Sequence, residues 1–322
     1  MIVRSAAATA ALTALALAGC TASHPGDPGP STPSAPSANT PVTSTPAPSR
    51  TSSDPAPSGN LYVAIGDSYA AGFQATGRGT GHPTHHGYAD QLVGLAARKG
   101  YHLRLVNFGC SGATTSSVLH SPGCASHYPA LGGPSYRVAQ ADAAVAYLKA
   151  HAGRVALVTV SLGGNDVTPC SADVQAVGCL TTALRGAARN IGRLLARIRA
   201  AAPRAVVVGT GYPDIFLGKA VSSDPTEQQL ARISVFGFRQ FVNPTLQQAY
   251  ARAGAAFVDV TAATGGYLPL RRTTTVAPYG RIPVAVANVC RLTYYCQYGD
   301  IHPRTTGYAI IAGLVLGRLP RR

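Results

Sequence analysis

The order of elements along this chain predicts an α/β fold, a mainly parallel sheet with helices on both faces. Three observations carry that expectation. From residue 60 onward, apolar strand-like runs alternate with amphipathic helical patterns, as in strands joined by helical crossovers. Val155–Val160 is a continuous apolar run, the pattern of a strand covered on both faces. Polar, glycine-rich corners follow the strands, and open α/β sheets bind ligands at that rim.

The elements follow in order. Leu61–Ile65 reads as a buried strand, and Tyr88–Lys99 as an amphipathic helix with Leu92, Leu95 and Ala96 on one face. Leu103–Phe108 is the second strand, Arg137–Ala150 a helix and Val155–Val160 the third strand. Thr181–Ala202 is a long helix stopped by Pro203. Ala205–Gly209 is the fourth strand, Thr226–Ala253 mostly helix, and Ala256–Val260 the fifth strand. Pro303–Leu319 closes the chain as a helix, with Pro303 suited to its first turn. Segment 264–289 has no clear periodicity, and its place before the last helix makes it a candidate wall of a substrate cleft.

The residues ahead of this domain describe export. Arg4 precedes an Ala/Leu stretch that ends in Leu17-Ala18-Gly19-Cys20 with no acidic residue before it, a secretory signal over residues 1–20. The Leu-Ala-Gly-Cys ending resembles a bacterial lipobox, which would make Cys20 a lipidated anchor on a membrane face. Residues 21–58 are almost all Ser, Thr, Pro, Ala and Gly, the composition of a disordered tether. Residues 59–322 then form the folded domain. The net charge of +15 favours anionic surfaces, whereas its scatter and the lack of a binding motif argue against nucleic acid.

Setting Cys20 aside, the cysteines fall in local pairs: Cys110 with Cys124, Cys170 with Cys179, and Cys290 with Cys296. Six cysteines allow fifteen connectivities, and local pairing in an oxidising compartment is the simplest. Zinc is disfavoured because no pair has CxxC spacing. His82, His85 and His86 lie in a Gly/Thr-rich loop without a partnering Cys or acid, so a solvated loop is expected there instead of a metal.

Four corners hold the chemistry. They are Gly66-Asp67-Ser68-Tyr69, the turn Asn107-Phe108-Gly109-Cys110-Ser111-Gly112, Gly163-Gly164-Asn165-Asp166, and Gly299-Asp300-Ile301-His302-Pro303. In this order they resemble the blocks of the SGNH (GDSL-type) hydrolases, a family of esterases and lipases, and the resemblance covers residues 60–322. The cysteine pairs resemble its secreted actinobacterial branch. The resemblance implies a flavodoxin-like three-layer sandwich with five parallel strands, and no cofactor or metal.

It also implies site roles. Ser68 matches the nucleophile, inert until a base accepts its proton, and His302 matches that base. The Ser68 N–H, the Gly109 N–H and the Asn165 amide match the oxyanion donors. Asp67 and Asp166 read as braces. The sequence departs from the family at the third catalytic member. The common pattern has Asp three residues before the histidine, where this chain has Gly299, and Asp300 stands only two before it. Either Asp300 reaches the imidazole, or a backbone carbonyl such as that of Gly299 orients it, as in some secreted members. Neighbouring residues on an extended segment point apart, which favours the carbonyl.

The expected protein is a membrane-tethered, monomeric extracellular esterase or lipase acting on a lipid, acylated small molecule or glycan. A polysaccharide O-deacetylase or acyltransferase with the same machinery is the alternative. A solute-binding lipoprotein is a remote one, since it has no need to align Ser, Gly, Asn and His. Tyr294 and Tyr295 beside Cys296 are candidates for an acyl pocket.

Overall fold

A computed structural model describes residues 59–126, 128–172 and 176–321. The signal segment, the Cys20 anchor and the tether over residues 21–58 lie outside the described residues.

The elements run β1 (Leu61–Gly66), α1 (Ser68–Ala71), β2 (Phe73–Gly77), β3 (Thr80–Pro83), α2 (Tyr88–Ala97), β4 (Arg104–Asn107), α3 (Thr115–His120), α4 (Gln140–Ala150), β5 (Val155–Ser161), α5 (Gly164–Val167), α6 (Ala176–Ala201) and β6 (Val206–Thr210). After a 3₁₀ segment at Ile215–Val221 come α7 (Pro225–Gly237), α8 (Asn243–Arg252), β7 (Ala256–Val258), α9 (Val260–Ala263), β8 (Thr273–Val276), β9 (Gly280–Pro283), α10 (Val284–Leu292), α11 (Tyr295–Tyr298) and α12 (Thr305–Leu316). Five strands form one parallel sheet in the order β4-β1-β5-β6-β7. Counted along the chain this is the 2-1-3-4-5 order of flavodoxin-like folds. The expected α/β architecture is therefore present.

The period of two along each strand explains the three layers. In β1, Val63 and Ile65 join the core formed by α4, α6 and α8, including Leu148, Ile191 and Leu246. Tyr62 and Ala64 point the other way, onto Leu92 of α2 and Tyr308 and Ile311 of α12. Every residue of β1 and β5 is buried, which is why neither strand alternates in polarity.

Several elements differ from the sequence expectation. The fifth strand ends at Val258, since Asp259 caps α9 by accepting from the Ala262 N–H. The last helix starts at Thr305, and Pro303 instead bridges to Thr293 ahead of it. The stretch 225–252 is one helical rod with a π-turn at Phe238–Val242. Pro244 explains the turn, because it lacks an N–H and its ring crowds the carbonyl four residues back. Segment 264–289 carries the β8–β9 hairpin and α10, whose Ile282, Val286 and Val289 pack on Leu217 as a separate small core.

Disulfides join Cys110–Cys124, Cys170–Cys179 and Cys290–Cys296, the expected local pairs. No helix among the described residues is long and apolar enough to cross a membrane.

Candidate active site

The Gly66-Asp67-Ser68 corner is fixed by its backbone. Gly66 has φ +146, and a Cβ there would lie 2.2 Å from the Ser161 carbonyl of the adjacent strand. Gln140 clasps both its backbone groups, accepting from the Gly66 N–H and donating to its carbonyl, each at 3.0 Å. Only glycine fits this corner. Asp67 then caps α1 by accepting from the Tyr69 N–H at 2.9 Å. Its other oxygen accepts from the Tyr212 hydroxyl at 2.5 Å. Burial pushes the Asp67 carboxyl up to about 6, against the opposing hydrogen bonds of Tyr212 and Tyr69 and the nearby His302. Asp67 is thus a brace behind the corner, as expected.

Ser68, the first residue of α1, makes no backbone N–H bond among the described residues. Ser68 lines a cavity with Asn165, Tyr212, Phe238, Val242 and Ile301. One Asn165 amide hydrogen goes to the Ala113 carbonyl at 2.9 Å, which fixes the group and leaves its second hydrogen available. Asp166 accepts from the Thr115 N–H at 3.0 Å and from its hydroxyl at 2.6 Å, fastening the start of α3 to α5.

Gly109 does not stand as the sequence suggested. Its N–H donates to the Asn107 side chain at 2.9 Å, and a Cβ on it would lie 2.6 Å from the Ala71 nitrogen. The glycine permits a close backbone approach, and its donor is already spent. Gly112, in the same turn, has φ +76 and an N–H with no hydrogen bond among the described residues. It directly precedes Ala113, whose carbonyl holds the Asn165 amide. Sequence carried a signal for both glycines and no means to choose between them.

The carbonyl expectation for His302 is also corrected. Asp300 Oδ1 accepts from the His302 backbone N–H at 2.9 Å and meets His302 Nδ1 at 2.8 Å. The carboxylate bonds its own backbone two residues on, an Asx turn that brings both side chains to one side. Burial opposes charge on Asp300, but its hydrogen bonds and attraction to His302 outweigh that, so its carboxyl sits below its ordinary value. An ionised carboxylate only accepts, so the Nδ1 proton belongs to His302, and in the neutral ring Nε2 is the acceptor.

The His302 corner is tied to Ser68 through the next residue. The Tyr69 hydroxyl donates to the Ile301 carbonyl at 2.8 Å, and the His302 ring lies 4.4 Å from Phe73 and 6.0 Å from Tyr69, centroid to centroid. Tyr212 packs edge-on against Tyr69 at 4.9 Å. It enters on a fifth corner, Gly211–Pro213 after β6, readable by the same rule as the other four.

Other candidates fall away from this cavity. Tyr294 packs against Tyr298 and Arg304, and Tyr295 against Gly218, so neither lines it. The 264–289 segment does not line it either. His85 pairs with Asp90 at 3.1 Å and His82 with the Pro83 carbonyl at 2.9 Å. No group of His, Cys, Asp and Glu that could hold a metal occurs among the described residues.

The chain belongs to the GDSL-like Lipase/Acylhydrolase family, whose model matches residues 64–310. Its fold is that of the SGNH hydrolases. Among solved structures it is similar to phospholipase A1 from Streptomyces albidoflavus, with 22% identity over 81% of this chain and 98% of that one at a TM-score of 0.49. It is also similar to an extracellular lipase from Streptomyces rimosus, with 20% identity, 81% and 99% coverage and a TM-score of 0.47. A family 3 carbohydrate esterase from Clostridium thermocellum gives 16% identity, 81% and 98% coverage and a TM-score of 0.41. No curated protein matches the chain.

Proposed function

We infer that this ester hydrolase works through an acyl-enzyme on Ser68. Ser68 Oγ attacks the ester carbonyl carbon while His302 Nε2 takes its proton. The carbonyl oxygen becomes an oxyanion held by the Ser68 N–H, the Gly112 N–H and the Asn165 amide. Collapse breaks the bond to the alcohol, which leaves with the proton from His302. Water then repeats the sequence on the acyl-enzyme, with His302 again the base, and releases the acid and Ser68. Asp300 holds the imidazole in the tautomer this requires and stabilises the imidazolium.

The observation that carries this reading is the Asp300–His302 contact at 2.8 Å in a corner tied to the Ser68 helix. Pre-steady-state turnover of p-nitrophenyl acetate tests it: a burst of nitrophenol equal to the enzyme concentration is expected where deacylation is slow. Product partitioning that is independent of an added nucleophile such as hydroxylamine, with no acyl adduct on Ser68 trapped by acid quench when deacylation is slowed, would contradict the covalent route.

Export and anchoring through a lipid on Cys20 belong to the same reading. They are supported by the Leu-Ala-Gly-Cys sequence and by three disulfides, which persist in oxidising compartments.

A further inference from the structure

A second apolar space opens beside the Ser68 cavity, between the start of α6 and the α7–π-turn segment. Its cavity volume is about 210 Å³, with Leu180, Leu230, Ile233, Phe236 and Phe241 among its walls. Its polar side chains are Thr181 and Ser234, and both hydroxyls are spent. Ser234 donates to Asp214 at 2.8 Å, and Thr181 to the Val177 carbonyl at 3.0 Å. No charged side chain lines it.

The two spaces adjoin. Val167, Phe216, Phe238 and Val242 line both, and the Phe216 and Phe238 rings, 6.4 Å apart, stand at their junction. The π-turn supplies Phe238 and Val242 to both spaces and Phe241 to the outer one. The far end is open to solvent, with Ile233 51% and Phe236 60% exposed.

We propose that this groove receives the acyl chain of the ester, making the enzyme selective for medium- and long-chain fatty acyl esters over acetyl esters. The proposal rests on the Ser68 reading above and adds the class of acid. A sugar or other polyhydroxy alcohol would lose its water contacts in the groove without replacement, at a cost no group there offsets. A polymethylene chain loses nothing there, and each buried methylene contributes about fourfold in affinity (~0.8 kcal/mol). The proposal therefore separates a lipid esterase from a polysaccharide O-deacetylase built on the same catalytic corner.

The test uses the full-length protein on p-nitrophenyl esters from acetate to dodecanoate. kcat/KM is expected to rise about fourfold per methylene from butyrate to octanoate. Gly237 lies on the groove wall in helical backbone, with open space where a Cβ would stand, so Gly237→Trp fills the groove without a backbone clash. That variant is expected to lower the dodecanoate-to-acetate ratio of kcat/KM by about 10². Ile233→Asp, at a half-exposed position, is expected to lower the same ratio. A flat chain-length profile, or a ratio unchanged in both variants, overturns the groove. Calorimetric binding of decanoate to Ser68→Ala reads the groove without turnover. Binding that Gly237→Trp weakens supports it, and binding that is absent or unaltered by that change overturns it. Loss of all ester turnover alongside Gly237→Trp-sensitive decanoate binding would overturn the catalytic reading and leave the groove standing.

Discussion

One oxygen of Asp300 accepts both the ring Nδ1–H and the backbone N–H of His302, at 2.8 and 2.9 Å. Asp300 is thereby locked to His302 by a two-residue turn. A carboxylate so placed orients the imidazole and also stabilises its charge after proton transfer, which a carbonyl does less well.

Asp300→Asn tests that pairing. The amide keeps the turn but permits the wrong tautomer, and kcat is expected to fall by about 10⁴. Near-normal turnover would show that Asp300 is not the orienting acid. Circular dichroism of the variant checks that the corner is folded.

Asn165→Ala removes a side-chain donor and leaves the backbone donors in place. A fall of about 10²–10³ in kcat, with KM little changed, is the expected outcome. A loss confined to KM would assign Asn165 to substrate binding instead.

Gly66→Ala is expected to damage folding and chemistry together. Its φ of +146 and the 2.2 Å approach of a Cβ to the Ser161 carbonyl leave no room for a side chain. The strained backbone alone costs about 1–3 kcal/mol, and the overlap adds to it. Thermal unfolding should drop by several degrees, and a melting temperature equal to wild type would contradict the geometry.

Two buried carboxyls set the acid side of the stability profile. Burial raises Asp214 to about 7 against the opposing hydrogen bond of Ser234, and it raises Asp67 to about 6. The ordinary value is 3.8 for each, so between pH 4 and these values the folded state holds protons that the unfolded chain releases. Their contribution is fully present below about pH 4 and is lost as pH rises through about 6 to 7. Asp300 acts in the opposite sense, its lowered carboxyl favouring the fold above its ordinary value. Urea unfolding of Asp214→Asn should be less destabilised than wild type on going from pH 5 to pH 8. An identical pH dependence in both proteins would remove Asp214 from this account.

The sheet was legible because buried parallel strands are short continuous apolar runs, as Val155–Val160 illustrates. The rim was legible because its corners need glycine, serine, asparagine and histidine types that helices and strands do not. What escaped depends on backbone conformation, which residue types do not encode. Gly109 and Gly112 look alike in sequence, yet one spends its N–H on Asn107 and the other leaves it free. Asp300 reaches His302 only because the segment closes into an Asx turn. The apolar groove takes Phe238, Phe241 and Val242 from a π-turn, and no hydrophobic periodicity announces it.

The most direct measurement is fluorophosphonate labelling of the full-length protein, with the adduct mapped by peptide mass spectrometry. A single adduct on Ser68, abolished in Ser68→Ala together with ester turnover, is the expected result. Labelling at another residue, or ester hydrolysis that survives Ser68→Ala, would contradict the assignment of Ser68 as the nucleophile.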